Sequence, residues 1–275
     1  MSLGATKNIG DIEVTILTDG ATSFGPDMFP GTDAEHTREL LKQAGETEIR
    51  TNFNANLVRS GGKTVLVDAG AGALMGPICG HLPAALAEAG ASADDIEIFY
   101  ATHLHPDHVG GALDAKGKPV FANARLVVQR AEADFWRGSI QNASDNVLGW
   151  QKLANAVLSA YADRLELIDG EAEIAPGMTS LPLPGHTPGH AGYRLASGNQ
   201  QLLHVADIVH APFIQVADPE IAIVFDLDRN AARATRKRLL DELATDGLPV
   251  TGGHLLAPAF ARIERNGTGY RLIQS

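Results

Sequence analysis

Apolar positions in this chain follow two spacings, and the order in which the spacings alternate outlines the fold. In "IEVTIL" (12–17) Ile12, Val14 and Ile16 alternate with polar residues, the repeat of a strand with one buried face. "NANLVRSGGKTVLVDAG" (54–70) reads as two strands joined by a Gly61-Gly62 turn. "HLPAALAEAG" (81–90) changes to helical spacing through Leu82, Ala85, Leu86 and Ala89, with Gly90 as a stop. "IEIFYATH" (96–103) and "ARLVVQR" (124–130) return to strands. "SDNVLGWQKLANAVLSAYADRL" (144–165) predicts a long helix opened by Ser144 or Asp145. "GMTSLPLPGH" (177–186), "GYRLAS" (192–197) and "QLLHVAD" (201–207) predict successive strands. "DRNAARATRKRLLDELATDG" (228–247) predicts a helix capped by Asp228, with Ala232, Leu239, Leu240 and Leu243 on its apolar face. A short strand in "LPVTGGH" (248–254) and a hairpin in "ARIERNGTGYRLI" (261–273) close the chain. This order predicts an α/β fold of mixed sheets faced by helices. No repeat or linker divides it, so one domain over 1–275 is expected.

The remaining chemistry narrows the classes. Of 275 residues 44% are hydrophobic, ordinary for a globular chain, and no apolar run reaches the ~18 residues of a membrane span. The opening "MSLGATKNIGDIEV" lacks the apolar core of a secretory signal, so a cytoplasmic location and no membrane partner are expected. A formal net charge of -11 argues against a duplex nucleic-acid partner. The basic run "RATRKR" (233–238) reads as the solvated face of its helix. The single cysteine, Cys79, has no partner for an internal disulfide. "RSGGKT" has Leu57 where a phosphate loop needs glycine, and "DAGAGALMG" has Met75 where a dinucleotide fingerprint needs one.

Candidate metal ligands collect at the ends of apolar strands. His103, His105, Asp107 and His108 follow "IEIFYAT", His186 follows "TSLPLPG", Asp207 ends "QLLHVAD", and His254 ends "LPVTGG". Imidazoles and carboxylates without a thiolate suit zinc, iron, manganese or cobalt. Asp68, ending "TVLVD", is placed to accept the free ring N–H of such a histidine. His190 reads as packing, His204 as structural, and His36 and His81 as surface or loop residues. His210 stands between substrate contact and loop packing.

The ordered set His-x-His-x-Asp-His (103–108), Gly110-Gly111, Gly-His-Thr-Pro-Gly-His (185–190), Asp207 and His254 resembles the metallo-β-lactamase superfamily. "LVDAGAGALMGP", "ADFW", "GHTPGH", the acidic residue before "IVHAPFIQ" and the ending "GYRLI" look most like methyl parathion hydrolases, with similar ligand sets in N-acyl homoserine lactonases. The resemblance implies an αβ/βα sandwich and two divalent ions, zinc foremost, with His103, His105 and His186 on the first, Asp107, His108 and His254 on the second, and Asp207 bridging. With a bridging hydroxide such a centre retains a charge of about +1 and attracts a carbonyl or phosphoryl oxygen. Asp107 then orients the nucleophile or passes a proton. The expected activity is hydrolysis of a small uncharged lactone, carboxylic ester or phosphotriester. Iron-dependent persulfide oxidation, a glyoxalase II type thioesterase and a nuclease are the alternatives. A homodimer is common among such relatives. Trp136, Met75 and Phe213 are pocket-wall candidates; Phe135 and Trp136 also read as core aromatics. "SFGPDMF" (23–29) reads as a lid, a dimer contact or an ordinary loop.

Overall fold

The computed structural model describes residues 4–274, which leaves Met1, Ser2 and Leu3 of the opening segment outside the described residues. Fourteen strands among the described residues form two seven-stranded sheets. The first runs in chain order: β1 (Gly4–Ile9), β2 (Ile12–Phe24), β3 (Ile49–Ser60), β4 (Lys63–Val67), β5 (Ile98–Tyr100), β6 (Arg125–Gln129) and β7 (Leu165–Ile168). β1 to β4 pair antiparallel and β4 to β7 parallel. The second comprises β8 (Glu173–Ala175), β9 (Met178–Pro182), β10 (Ala191–Ser197), β11 (Gln200–His204), β12 (Val250–Thr251), β13 (Ala261–Asn266) and β14 (Gly269–Gln274), with β11 and β12 the parallel pair. The parallel pairings need crossovers. Helices supply them: α2 (Leu82–Glu88) before β5, α3 (Pro106–Val109) before β6, α4 (Arg130–Arg137) and α5 (Asp145–Ala160) before β7, α6 (Pro212–Gln215) and α7 (Arg229–Asp246) before β12. A further helix, α1 (Ala34–Gln43), lies between β2 and β3.

The period of two separates the layers. Val65, Val67, Ile98, Tyr100 and Val127 face the core between the sheets with Met178, Tyr193, Leu195 and Leu202. Their neighbours Leu66, Phe99, Leu126 and Val128 face outward onto Leu82, Leu86, Trp136, Ala154, Val157 and Leu158. On the second sheet, Leu239, Leu240 and Leu243 of α7 join the cluster holding Val250 and Ile263. Sheets in the middle and helices on both outer faces make the αβ/βα sandwich. Gly61 and Gly62 both have positive φ, the two-residue turn that joins β3 to β4.

Several elements differ from the sequence reading. The long helix ends at Ala160, five residues before its predicted end, because Leu165 is taken into parallel pairing opposite Leu126. Ser144 rather than Asp145 caps it, accepting from Val147 N. α1 escaped notice because Leu40 and Leu41 are its only buried apolar residues; Asp33 caps it by accepting from Glu35 N. The reading of "RATRKR" as a solvated face is corrected at Arg236, which is fully buried at the same helical phase as Ala232, Leu239, Leu240 and Leu243. No helix among the described residues is long and apolar enough to cross a membrane.

Candidate metal centre

Four loops at strand ends bring the site together. Leaving β5, the backbone passes through His103 to an extended His105 and into α3, where Pro106 occupies the first turn and Asp107 and His108 follow. His186 sits in the loop between β9 and β10, Asp207 just past β11, and His254 just past β12. All seven predicted ligands converge. His103, His105 and His186 form one cluster of donor atoms within 4.8 Å of one another, and Asp107, His108, Asp207 and His254 form another.

One carboxylate oxygen is the hub. Asp207 Oδ2 lies 2.9 Å from His254 Nε2, 3.1 Å from His108 Nε2, 3.4 Å from His186 Nε2 and 3.7 Å from His103 Nε2. His105 Nδ1 lies 2.9 Å from His186 Nε2, and Asp107 Oδ2 stands 3.5 Å from His108 Nε2 and 3.6 Å from His254 Nε2.

The far sides of the rings fix their tautomers. His108 Nδ1 lies 2.8 Å from Asp68 Oδ2, His186 Nδ1 2.9 Å from Asp226 Oδ1, and His254 Nδ1 2.8 Å from the Asn52 carbonyl; each ring donates there. His103 Nδ1 faces Thr102 Oγ1 at 3.1 Å, whose hydroxyl donates to Asp68. With Nδ1 carrying the proton, the lone pair of Nε2 points into the cluster, as a ligating imidazole requires. His103 Nε2 and Asp207 Oδ1 are buried with no hydrogen-bond partner. Buried lone pairs left without a donor are what a cation relieves, so the donor set fits metal ions.

Electrostatics lead to the same conclusion. Burial alone would keep His108 neutral, but Asp207, Asp107 and Asp68 outweigh it and raise its pKa well above that of an ordinary imidazole. Burial likewise opposes protonation of His254, and Asp207 overcomes it. Burial works against ionising Asp107 and Asp207 too, yet His108 and His254 hold both carboxyls below their usual range. Without metal, therefore, protons on His108 and His254 balance the carboxylates. Metal must displace them, so loading at neutral pH should release protons and affinity should fall as pH falls. Calorimetric titration in buffers of different ionisation enthalpy checks this; a binding enthalpy independent of buffer would contradict it.

A cavity of about 300 Å³ opens above the cluster, with His105, Asp107, His186, Asp207, His210 and His254 as its floor and Phe24, Phe53, Leu74, Met75, Trp150 and Phe225 among its walls. Met75 and His210 are thus at the cavity. His210 Nε2 is 3.2 Å from Asp207 Oδ2, its ring stacks on His254, and burial pushes its pKa down to about 4. Phe24, from the "SFGPDMF" segment, also lines the cavity, whereas Phe29 packs under α1.

Two wall candidates are corrected. Trp136 is fully buried behind His105, its indole N–H donating to Glu132 Oε1 at 2.7 Å; Trp150 forms the wall instead, 4.8 Å from the His105 ring. Phe213 faces the α1 side with Leu40, because α6 turns Ile214 and Gln215 inward. His190 bridges the Leu183 carbonyl and the Asp207 N–H, so both ring nitrogens are engaged. His204 stacks on Tyr193 between the sheets. His36 is an exposed partner of Asp218.

Sequence reading missed three supporting groups. Glu132, fully buried, accepts from Leu104 N, Trp136 Nε1, Thr187 Oγ1 and Gly189 N, tying the His103–His105 turn to the His186 loop. Asp19 accepts from Ala71, Gly80 and Leu82 N and so pins the loop that carries Leu74 and Met75. Asp226 holds His186. The signal was an acid at a core phase: Glu132 shares a helical face with Ala133 and Trp136.

Two mixed sheets between helices, with a histidine-rich cluster at one rim, define the metallo-hydrolase class of this sandwich. A family model for the metallo-beta-lactamase superfamily matches residues 51–254, and the chain belongs to that superfamily. An N-acyl homoserine lactonase of a Bacillus species is 31% identical over 105 residues, 38% of this chain and 35% of that protein. The chain thus matches about a third of the length of that curated relative. Among solved structures, AidC, a dizinc quorum-quenching lactonase in complex with the product N-hexanoyl-L-homoserine, superposes with a TM-score of 0.91 and 28% identity, covering 100% of this chain and 99% of that one. The hydrolase AbOPH of the beta-lactamase superfamily superposes with a TM-score of 0.92 and 28% identity, covering 100% and 98%.

Proposed function

We propose that this protein is a dinuclear metal-dependent hydrolase of small, uncharged ester-like substrates, with lactones first and carboxylic esters and phosphotriesters as alternatives. His103, His105 and His186 would hold one ion, Asp107, His108 and His254 the other, and Asp207 both. Two divalent cations, zinc foremost, supply Lewis acidity toward a carbonyl oxygen and make water nucleophilic near neutral pH.

The observation that carries the substrate reading is the cavity: its walls are aromatic and aliphatic, and neither Lys nor Arg is among its lining residues. An anionic substrate would find no lysine or arginine there, while a neutral ring bearing an apolar tail is accommodated. Similarity to a lactonase over the full chain supports the same class. Asp107, partly exposed to the cavity and held ionised, is an acceptor placed to carry a proton toward the leaving oxygen. His210, uncharged, is placed to orient the substrate carbonyl by hydrogen bonding. Trp150 and Phe225 exclude water from the scissile bond.

Metal quantification followed by a panel of lactones, aryl esters, phosphotriesters and glutathione thioesters tests the reading. Two ions per chain and oxygen-independent lactone or ester turnover are expected; one iron with oxygen uptake would overturn it. Chelation should also soften the fold. Each ion adds about 4 kcal/mol when free metal stands a thousandfold above its Kd. Stripping one such ion lowers Tm by roughly 10 °C, read by scanning calorimetry with and without chelator.

A further inference from the structure

Helix α7 begins against the His186 loop. Asp228 caps it by accepting from Asn230 and Ala231 N, while its own N–H donates to the Gly185 carbonyl. Thr235 Oγ1 donates to the Pro184 carbonyl at 2.7 Å. Gly185 has φ +133°, and a Cβ there would meet Ala232 N at 2.2 Å, so only glycine allows the helix this close.

One turn further along, Arg236 is fully buried and its fork collects the chain that follows Asp207. Nε donates to the Ile208 carbonyl at 2.6 Å, and Nη1 to the carbonyls of Pro219 and Ile221 at 3.1 and 2.8 Å. Nη2 faces Asp226 Oδ2 at 3.6 Å. The other oxygen of Asp226 holds His186 Nδ1 at 2.9 Å. An ion pair followed by a hydrogen bond thus joins α7 to a single proposed ligand: guanidinium, carboxylate, imidazole. Its counterpart for His108 is Asp68, which answers instead to Thr102 N and Oγ1 at 2.9 and 2.8 Å. Asp68 also reaches His103 through the Thr102 hydroxyl and so serves both clusters, whereas Asp226 holds a donor of one cluster alone.

We propose that Asp226 and Arg236 are positioning residues that set the cation affinity of the His103–His105–His186 site independently of the Asp107–His108–His254 site. The inference rests on the dinuclear reading above. A carboxylate accepting the Nδ1 proton makes Nε2 a stronger donor and locks the ring plane, and loss of such a support costs roughly 10–100-fold in metal affinity. Arginine is required because one planar fork serves three carbonyls and a carboxylate; lysine can keep the charge but not the geometry.

Zinc-loaded full-length protein is titrated with a competing chelator, and cobalt-loaded protein is followed by its visible absorption. Wild type is expected to hold two tight equivalents. Asp226→Asn, which changes no volume, should weaken one equivalent by roughly 10–100-fold and leave the other unchanged, with only one component of the cobalt spectrum altered. Arg236→Met should act in the same direction, Arg236→Lys should recover part of the loss, and the double variant should be no worse than Arg236→Met. If Arg236→Met fails to fold, Asp226→Asn alone decides. Two equivalents of wild-type affinity in Asp226→Asn, or equal weakening of both, would overturn the proposal. A wild-type chain that holds fewer than two ions would instead bring down the dinuclear reading beneath it.

Discussion

Replacing Asp207 by alanine is expected to remove both cations and turnover together, where loss of any single histidine removes one. Its Oδ2 stands within 3.7 Å of the Nε2 atoms of His103, His108, His186, His210 and His254, so it touches both clusters. The variant takes away the negative charge that lets His108 and His254 stay protonated in the metal-free chain and that two cations would share. Five imidazoles then face one another without a central anion. Because on the proposed mechanism the loss would remove the Lewis acid and the activated water at once, kcat/KM should fall further than the ~10²–10³-fold typical of deleting one oxyanion donor. Asp207→Asn keeps the volume and should already lower metal content, since an amide is a poorer bridge between cations. Metal content measured beside kcat/KM checks both, and a variant that keeps two ions per chain would refute the central role of this residue.

How much of this could be read from the chain depends on whether a residue's partners are local. The four donors at 103–108 were legible because they end an apolar strand in one crowded turn, and His186, Asp207 and His254 because each also follows an apolar run. The structure brings all seven together. Asp68 was legible for the same reason, as the residue that follows β4 beside β5. Sheet order was not legible. β11 pairs with β12 across 45 intervening residues of loop and helix, and nothing in either strand names its neighbour.

The cavity walls were the weakest part of the reading, for a physical reason. Trp136 and Trp150 are both helical aromatics near other apolar residues, and only the packing angle of α4 against α5 decides which is sealed behind His105 and which opens onto the cavity. Charges on apolar helix faces were legible in principle. Arg236 falls in phase with Ala232, Leu239 and Leu243, and Glu132 with Ala133 and Trp136; buried ions are costly, so a charge at a core phase signals a paired role. Counting "RATRKR" as one basic run obscured that phase.

Glu132 supplies the second large effect. Glu132→Ala is expected to destabilise the fold by more than about 3 kcal/mol and to loosen the three-histidine site as well. Four donors lose their acceptor: Leu104 N at 3.0 Å, Trp136 Nε1 at 2.7 Å, Thr187 Oγ1 at 2.5 Å and Gly189 N at 3.1 Å. Each buried donor left unpaired costs about 1–3 kcal/mol, reduced where water enters the space. The backbone gives little room to adjust, because a Cβ on Gly189 would already meet Glu132 N at 2.1 Å. Leu104 lies between two of the proposed ligands and Thr187 follows a third, so the same loss lets the His103–His105 turn drift from His186. Glu132→Gln is the informative companion. Its amide oxygen still accepts from Leu104 and Trp136, and the Thr187 hydroxyl can turn to accept from the new amide, leaving only Gly189 N facing a donor. Its cost should therefore be about one unpaired group, roughly 1–2 kcal/mol, with metal affinity between wild type and Glu132→Ala. Chemical denaturation of the metal-free and metal-loaded forms separates the two contributions: if Glu132 only packs the fold, the difference between the forms stays at its wild-type value in both variants, and if it also aligns the ligands, that difference shrinks in the order Gln, then Ala.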